Sequence, residues 1–244
     1  MTSTSPRVLL VLGAGPGLGL SIAHRFGAEG YSVVLVSRSD ARHATYLDSL
    51  ARAGVEAAAF RADISDPSAL RNVVDGTRNL FGRIDVGYYG PAGFDVAPRD
   101  ITELDATGAN KALRSVVPAV DFASLLIPEL TARGSGGLLF AGGLSSVVPM
   151  PPLGGLALAG AALRMYALTL HAALAPAGVY AGTVTVGGLI ERSDIHTAMT
   201  AGTSAFGAAP AGLLDPDVLA ESAWRLYQNR TEAEVVMNAL SAAI

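Results

Sequence analysis

Short apolar runs alternate with segments of helical periodicity along this chain. The runs are rich in Val, Leu and other apolar residues and end at Gly, Pro or charged residues, which predicts buried strands. The predicted strands cover residues 7–12, 32–37, 56–61, 85–89, 137–141, 179–186 and 233–237. The predicted helices cover residues 17–29, 40–53, 66–81, 104–133, 153–174 and 215–228. Strands and helices therefore follow one another in regular succession.

Such a succession predicts an α/β fold, a Rossmann-like doubly wound parallel sheet of about seven strands with right-handed crossovers. We expect residues 1–244 to form a single domain. Pro118 predicts a kink or a boundary within the helical region 104–133. The stretch 197–212 is rich in Ala, Gly, Ser and Thr and predicts a mobile loop. It follows the sixth strand, so we expect it at the carboxyl edge of the sheet, where ligands bind.

Composition narrows the classes of partner. Half of the residues are hydrophobic and 16% are charged, which suits a sheet covered on both faces. The net charge of -4 argues against nucleic acid as a partner. The apolar runs are broken well short of the ~20 residues that a bilayer requires, so we expect no membrane span. Residues 1–7 do not resemble a signal peptide, and cysteine is absent; both agree with a cytoplasmic protein. We expect a small-molecule partner and no metal site.

A glycine-rich segment connects the first predicted strand to the first predicted helix. It reads Gly13-Ala14-Gly15-Pro16-Gly17-Leu18-Gly19. Glycines here let the backbone turn tightly and approach a pyrophosphate, while the helix start supplies N–H donors and a positive dipole end. A plain glycine-rich turn would show the same pattern, but this one opens the first βα unit of a chain with the expected alternation. The segment therefore predicts a dinucleotide site that includes Gly13, Gly15, Gly17, Leu18 and Gly19.

The spacing of Gly13, Gly17 and Gly19 resembles that of the short-chain dehydrogenase/reductase family, and the resemblance extends over nearly the whole chain. The resemblance implies that Asp63 and Ile64 hold an adenine. The segment 178–190 is similar to the sixth strand of the family and its Pro-Gly-x-Ile turn, with Gly187 in the Pro position. The resemblance implies that Gly188 and Ile190 lie near a nicotinamide. It implies the same for Gly90, which follows the fourth strand.

Ser37-Arg38-Ser39 follows the second predicted strand, where family members that use NAD usually carry an acidic residue. A guanidinium flanked by two hydroxyls suits a 2′-phosphate, through charge-assisted bidentate contacts. The alternative is a solvated arginine at a helix start. The position favours NADP(H) over NAD(H), although Pro16 supplies no second basic residue in the glycine loop.

The catalytic residues that the resemblance leads us to expect are replaced. The segment 156–164 resembles the family segment Tyr-Ser-Ala-Ser-Lys-Ala-Ala-Leu, which puts Leu156 in the tyrosine position and Gly160 in the lysine position. Counting back thirteen residues puts Gly143 in the serine position. The upstream asparagine position falls at about Ser115. The only lysine is Lys111, and no tyrosine precedes it by four residues. The resemblance therefore implies a divergent member without the usual Tyr-x-x-x-Lys dyad.

Three interpretations remain open. The chain is a divergent reductase with another proton source, an enzyme that uses the pocket for other chemistry, or a catalytically silent binding or scaffold protein. Other groups near the carboxyl edge are weak candidates for catalysis, because each has an ordinary structural interpretation as a turn former, a packing residue or a solvated charge. These candidates are Ser145, Ser146, Tyr88, Tyr89, Arg192 and His196.

The assembly state is also an expectation from the family, whose members commonly pair their fourth and fifth helices. The run 154–162 is dominated by small residues that permit close backbone approach. Burial against the sheet would explain the same run. We expect a homodimer or homotetramer.

Overall fold

Seven parallel strands form the central sheet of the computed structural model, which describes residues 6–91, 97–205 and 212–240. The strands of this sheet lie in the order β3-β2-β1-β4-β5-β6-β9. Their bounds are β1 Arg7–Leu12, β2 Tyr31–Ser37, β3 Ala57–Arg61, β4 Val86–Tyr89, β5 Gly137–Gly143, β6 Tyr180–Gly187 and β9 Glu234–Asn238. A short parallel ladder joins β7 (Leu189–Ile190) to β8 (Leu213–Leu214). The predicted single-domain doubly wound sheet is confirmed.

Helices cover both faces of this sheet. The helices of the described residues are α1 Leu18–Gly27, α2 His43–Arg52, α3 Pro67–Phe81, α4 Ala106–Arg114, α5 Val117–Arg133, α6 Gly154–Leu174, α7 Asp194–Thr200 and α8 Pro216–Asn229. Helices α3, α5 and α6 bury apolar residues in one core layer, and α1, α2 and α8 do so in the other. Successive strand residues serve opposite layers, since Leu10 faces the first layer and Leu9 and Val11 face the second. This explains why the strands are apolar throughout.

The strand order places the glycine-rich segment at the switch point of the sheet. Strand β1 has β2 on one side and β4 on the other. Strands β2 and β3 therefore extend the sheet in one direction from β1, and the later strands extend it in the other. In doubly wound sheets the crevice at this point, at the carboxyl ends of the strands, is where ligands bind. The topology therefore directs attention to the loops that follow β1, β2, β4, β5 and β6.

The boundary predicted at Pro118 is confirmed, and the predicted loop 197–212 needs correction. The helical region 104–133 is two helices, α4 and α5, and Pro118 lies in the first turn of α5, where its missing N–H costs no hydrogen bond. The predicted loop 197–212 is partly wrong, because residues 197–200 complete α7, which Ser193 caps by accepting a hydrogen bond from the backbone N–H of His196. Residues 206–211 of that predicted loop lie outside the described residues.

Two helical stretches, Ala106–Arg133 and Pro151–Ala177, are long and apolar enough to cross a membrane. Length and composition are weak support for a span, because core helices of soluble proteins satisfy the same criterion. Within these stretches, α5 and α6 bury side chains against the sheet. The prediction of no membrane span, which rested on short unbroken apolar runs, stays a prediction.

Candidate functional site

The glycine loop is built by close backbone contacts around one open position. Gly13 has φ +93°, and a Cβ there would lie 2.6 Å from the carbonyl carbon of Gly90. A Cβ at Gly19 would collide with the carbonyl oxygen of Gly13. By contrast, a Cβ at Gly15 would meet no atom within 4 Å, because Gly15 faces open space. Gly13 and Gly19 thus shape the turn, and Gly15 leaves room for a ligand against the backbone.

Helix α1 begins at this loop without a side-chain cap. Its N-cap residue is Gly17, and its first turn contains no acidic residue. The positive end of the helix dipole therefore lies at the glycine loop, and no carboxylate of the first turn of α1 competes for it. This is the arrangement that binds phosphate groups at helix starts. The residues present fit the pyrophosphate of a dinucleotide.

One of two neighbouring cavities has basic walls, and we name it the basic cavity. It has a volume of about 560 Å³ and lies at the carboxyl ends of β2 and β3. Most of the residues predicted to select the cofactor line it. These are Gly13, Gly15, Ser37, Arg38, Ser39, Asp63 and Ile64.

The polar groups of the basic cavity are partly engaged within the protein. The Ser37 hydroxyl donates to the carbonyl oxygen of Ser39 at 2.8 Å and lies 2.7 Å from Nε2 of His43. Asp63 accepts hydrogen bonds from the hydroxyl and the N–H of Ser65, which lower the pKa of its carboxyl, and the charge of Arg38 lowers it further. Asp63 is therefore an ionised acceptor next to a cation.

Sequence reasoning missed four residues around the basic cavity. Arg42, Lys111 and Arg114 line it together with Arg38, so four cations from α4 and the β2–α2 region share one space. His43 lies behind Ser37 and is buried. Arg42 could have been suspected from its place at the start of α2, but Lys111 and Arg114 reach the cavity only because of how α4 packs.

The second cavity is mostly apolar, and we name it the apolar cavity. It has a volume of about 540 Å³ and lies at the carboxyl ends of β4, β5 and β6. Its walls include most of the residues expected near the nicotinamide and the three in the usual catalytic positions. These are Gly17, Leu18, Gly19, Gly90, Gly143, Leu156, Gly160, Gly188 and Ile190. Among the described residues, its polar side chains are those of Tyr88, Ser145, Ser193 and Asp194.

The two tyrosines of β4 point to opposite faces of the sheet. Tyr89 lines the basic cavity and Tyr88 the apolar cavity. Tyr88, and not Tyr89, is therefore the tyrosine that lies nearer to the expected nicotinamide end of the two cavities. Its ring extends over Gly90, and its buried hydroxyl has no hydrogen-bond partner among the described residues. Burial raises the pKa of Tyr88, so this phenol retains its proton.

The structure places several other candidates away from the apolar cavity. Ser146 donates its hydroxyl to the carbonyl oxygen of Gly143 at 2.7 Å, and Ser115 lines the basic cavity instead. Arg192 lines neither cavity; its guanidinium pairs with Asp217 at 2.7 Å, and its backbone N–H donates to Nδ1 of His196 at 3.3 Å. A ligand role for Arg192 is thus not supported, since the start of α8 already neutralises its charge.

The two cavities adjoin each other, and together we call them the cleft. Gly13, Gly15, Pro91 and Asp194 line both of them, so the glycine loop lies at the junction. The described residues contain no group of three or more His, Cys, Asp or Glu side chains suited to a metal ion. The arrangement can hold an elongated ligand that has phosphate groups at its centre, a charged half on one side and a less polar half on the other.

Known proteins share this sequence pattern and fold. The profile of the family described as short chain dehydrogenase matches residues 7–203. The chain is 27% identical to the ketoacyl reductase HetN of a Nostoc species over 246 residues, covering 98% of this chain and 80% of that protein. It is 38% identical to galactitol 2-dehydrogenase of Agrobacterium fabrum over 98 residues, covering 40% of this chain and 37% of that enzyme.

Solved structures agree on the fold. L-sorbose reductase from Gluconobacter frateurii, complexed with NADPH and L-sorbose, superposes with a TM-score of 0.82 at 22% identity, covering 98% of each chain. A 7α-hydroxysteroid dehydrogenase complexed with NADH superposes with a TM-score of 0.79 at 18% identity, covering 96% of this chain and 93% of the other. With the profile match over most of the chain, this protein belongs to the short-chain dehydrogenase family of oxidoreductases.

Proposed function

We propose that this protein binds NADP(H) and acts on a carbonyl or alcohol group of a small molecule through a non-standard active site. The observation that carries the proposal is the cleft, in which the open Gly15 position lies between a basic cavity and an adjoining apolar cavity. A dinucleotide with a phosphorylated ribose has the matching distribution of charge. When bound, the nicotinamide supplies or accepts the hydride.

The preference for the phosphorylated cofactor rests on charge. Arg38, Arg42, Lys111 and Arg114 line the basic cavity, and its acidic side chains are Asp63 and Asp194. A 2′-phosphate gains from this surplus of cations, and guanidinium groups suit phosphate geometry well. The fold alone does not decide between the two cofactors, because solved relatives of similar fold include one complexed with NADPH and one with NADH.

The active site is non-standard because no acid-base pair stands in the usual positions. Leu156, Gly160 and Gly143 occupy the tyrosine, lysine and serine positions in the alignment with the family, and all three line the apolar cavity. Lys111 lines the basic cavity instead. The proton that accompanies the hydride therefore comes from another group or from the substrate. We propose that Ser145, which lines the apolar cavity, orients a substrate oxygen.

A catalytically silent cofactor-binding or scaffold protein is the second candidate, and a non-redox use of the same pocket is a third. The observation that favours both is the same absence of an acid-base pair at Leu156 and Gly160. A panel of carbonyl and alcohol substrates, followed at the absorbance of the reduced nicotinamide, separates them from the leading proposal. We expect turnover with at least one substrate and its loss in Ser145→Ala. Cofactor binding without turnover across the panel would favour the alternatives.

We also propose that the protein forms a homodimer or homotetramer through α5 and α6. Large apolar side chains are exposed on both helices: Val117, Val120, Leu158 and Met165 are 50%, 40%, 38% and 58% exposed. Burial of these side chains between two copies would remove apolar surface from water.

A further inference from the structure

An ion pair joins two distant parts of the chain at the rim of the cleft. Arg42, at the start of α2, holds Asp194, the first residue of α7, with both guanidinium nitrogens: Nη1 lies 2.9 Å from Oδ2, and Nη2 lies 2.8 Å from Oδ1. The two residues are 152 positions apart in sequence. This bidentate geometry is the strong form of an arginine–carboxylate contact.

The pair is placed where it affects the ligand site. Arg42 lines the basic cavity, and Asp194 lines both cavities. The neighbouring Ser193 packs against the glycine loop, since a Cβ at Gly17 would lie 3.1 Å from the Ser193 Cβ. The carboxylate of Asp194 therefore lies close to the space that fits a phosphorylated ligand.

A negative charge in this place has two effects on a bound phosphate. It repels the phosphate directly, and it neutralises Arg42, which would otherwise contribute a second guanidinium beside Arg38. Both side chains are more than half exposed, at 52% for Arg42 and 63% for Asp194, so they can exchange partners without unfolding any packed core. The contact between them is replaceable, because water screens an ion pair that is this exposed.

We propose that Asp194 is a specificity-determining residue that competes with the 2′-phosphate of the cofactor for Arg42. In the free protein Asp194 holds Arg42, and in the complex the 2′-phosphate takes its place. This inference rests on the proposed binding of NADP(H). The 2′-phosphate is the relevant group because Arg42 lines the basic cavity with Ser37, Arg38 and Ser39, whereas Gly17 and Gly19 at the start of α1 line the apolar cavity.

Isothermal titration of four proteins with NADPH and NADH tests the competition. The proteins are the wild type, Asp194→Asn, Arg42→Gln and the double variant. We expect Asp194→Asn to tighten NADPH binding about fivefold or more, a typical coupling between sites, and to tighten NADH binding far less, because NADH lacks the 2′-phosphate that Arg42 would bind. Arg42→Gln weakens NADPH binding, and Asp194→Asn then tightens it less than in the wild type, because only the direct repulsion between Asp194 and the phosphate remains to be relieved.

Matched measurements separate the competition from simpler explanations. Asp48→Asn removes an equally exposed carboxylate from α2 and is expected to leave NADPH binding unchanged. Thermal unfolding without ligand checks that each variant is folded. The inference is overturned if Asp194→Asn has no effect, if it tightens NADH equally, or if it tightens NADPH equally in the Arg42→Gln background. If the wild type binds neither dinucleotide, the proposed function itself has failed.

Discussion

The hydroxyl of Tyr88 is a local cost to the free protein. The hydroxyl is buried without a partner among the described residues, whereas the ring packs in the core against Gly90. Removing an unpaired buried hydroxyl while the ring remains stabilises a protein by about 1 kcal/mol. We therefore expect Tyr88→Phe to raise the free energy of unfolding, as measured by urea denaturation.

Tyr180→Phe is the matched control for this prediction. The Tyr180 hydroxyl donates to the carbonyl oxygen of Glu232 at 2.8 Å, so its removal should lower stability. A loss of stability in both variants would show that the Tyr88 hydroxyl has a partner in solution.

Residue chemistry explains which site residues the sequence could predict. Arg38 and the glycines are recognisable because their roles follow from position within one βα unit. Arg42 and Asp194 lie far apart in sequence, and only tertiary packing brings them together. Arg192 shows the opposite case: its charge suggests a ligand contact, but Asp217 neutralises it from a helix that sequence spacing could not place beside it.

At the scale of elements, different glycines of the glycine loop serve folding and ligand binding. Gly15→Val places its side chain in open space, so we expect an unchanged unfolding midpoint and the loss of dinucleotide binding. Gly19→Ala forces a Cβ against the Gly13 carbonyl oxygen, and we expect it to lower the free energy of unfolding by about 1–3 kcal/mol. Thermal unfolding and calorimetric titration of both variants check this division. Equal destabilisation by the two changes would refute it.

Helix α6 is tied to the edge strand β9 by a carboxylate that responds to pH. Glu234 accepts hydrogen bonds from Nε of Arg164 at 2.8 Å and from the hydroxyl of Thr185 at 2.6 Å. The bonds from Arg164, followed by the bond from Thr185, outweigh desolvation and hold the pKa of Glu234 below its ordinary value of 4.5. Because the folded-state pKa is lowered, the associated stability is present above the unfolded-state pKa and is lost as pH falls through the folded-state pKa.

Glu234→Gln should therefore destabilise the protein by about 1 kcal/mol near neutral pH, and by progressively less as the pH falls below the ordinary value of 4.5 towards the lowered folded-state pKa. Urea denaturation across this range measures the difference from wild type. A difference that stays constant with pH would contradict the assigned pKa shift of Glu234.

At the scale of the whole molecule, α5 and α6 present the proposed contact between subunits. Met165→Glu combined with Val120→Glu puts charges on this face, so we expect the oligomer to dissociate into monomers because burial of unpaired charges is costly. Light scattering after size-exclusion chromatography measures the mass. Leu80→Glu, on α3 and 59% exposed, is the matched control and should leave the assembly unchanged. A monomeric wild type would refute the proposed oligomer.

The whole fold was the most predictable level, because apolar strands buried on both sides alternate with amphipathic helices along the entire chain. Pro118 indicated the division of 104–133 into α4 and α5. Nothing in the sequence pattern indicated that α7 extends into 197–212, since its cap depends on Ser193 and its composition resembles a loop. The shape of the cleft was also beyond the sequence, because residues from many loops and helices line it.

The central claim is that the cleft holds a dinucleotide and that Arg38 selects its phosphorylated form. Calorimetric titration of the wild type and Arg38→Asp with NADPH and NADH tests both parts at once. We expect the wild type to bind NADPH at least about tenfold more tightly than NADH, and Arg38→Asp to lose NADPH affinity far more than NADH affinity. Absence of binding to either dinucleotide at millimolar concentration, or equal losses for both in the variant, would contradict the account.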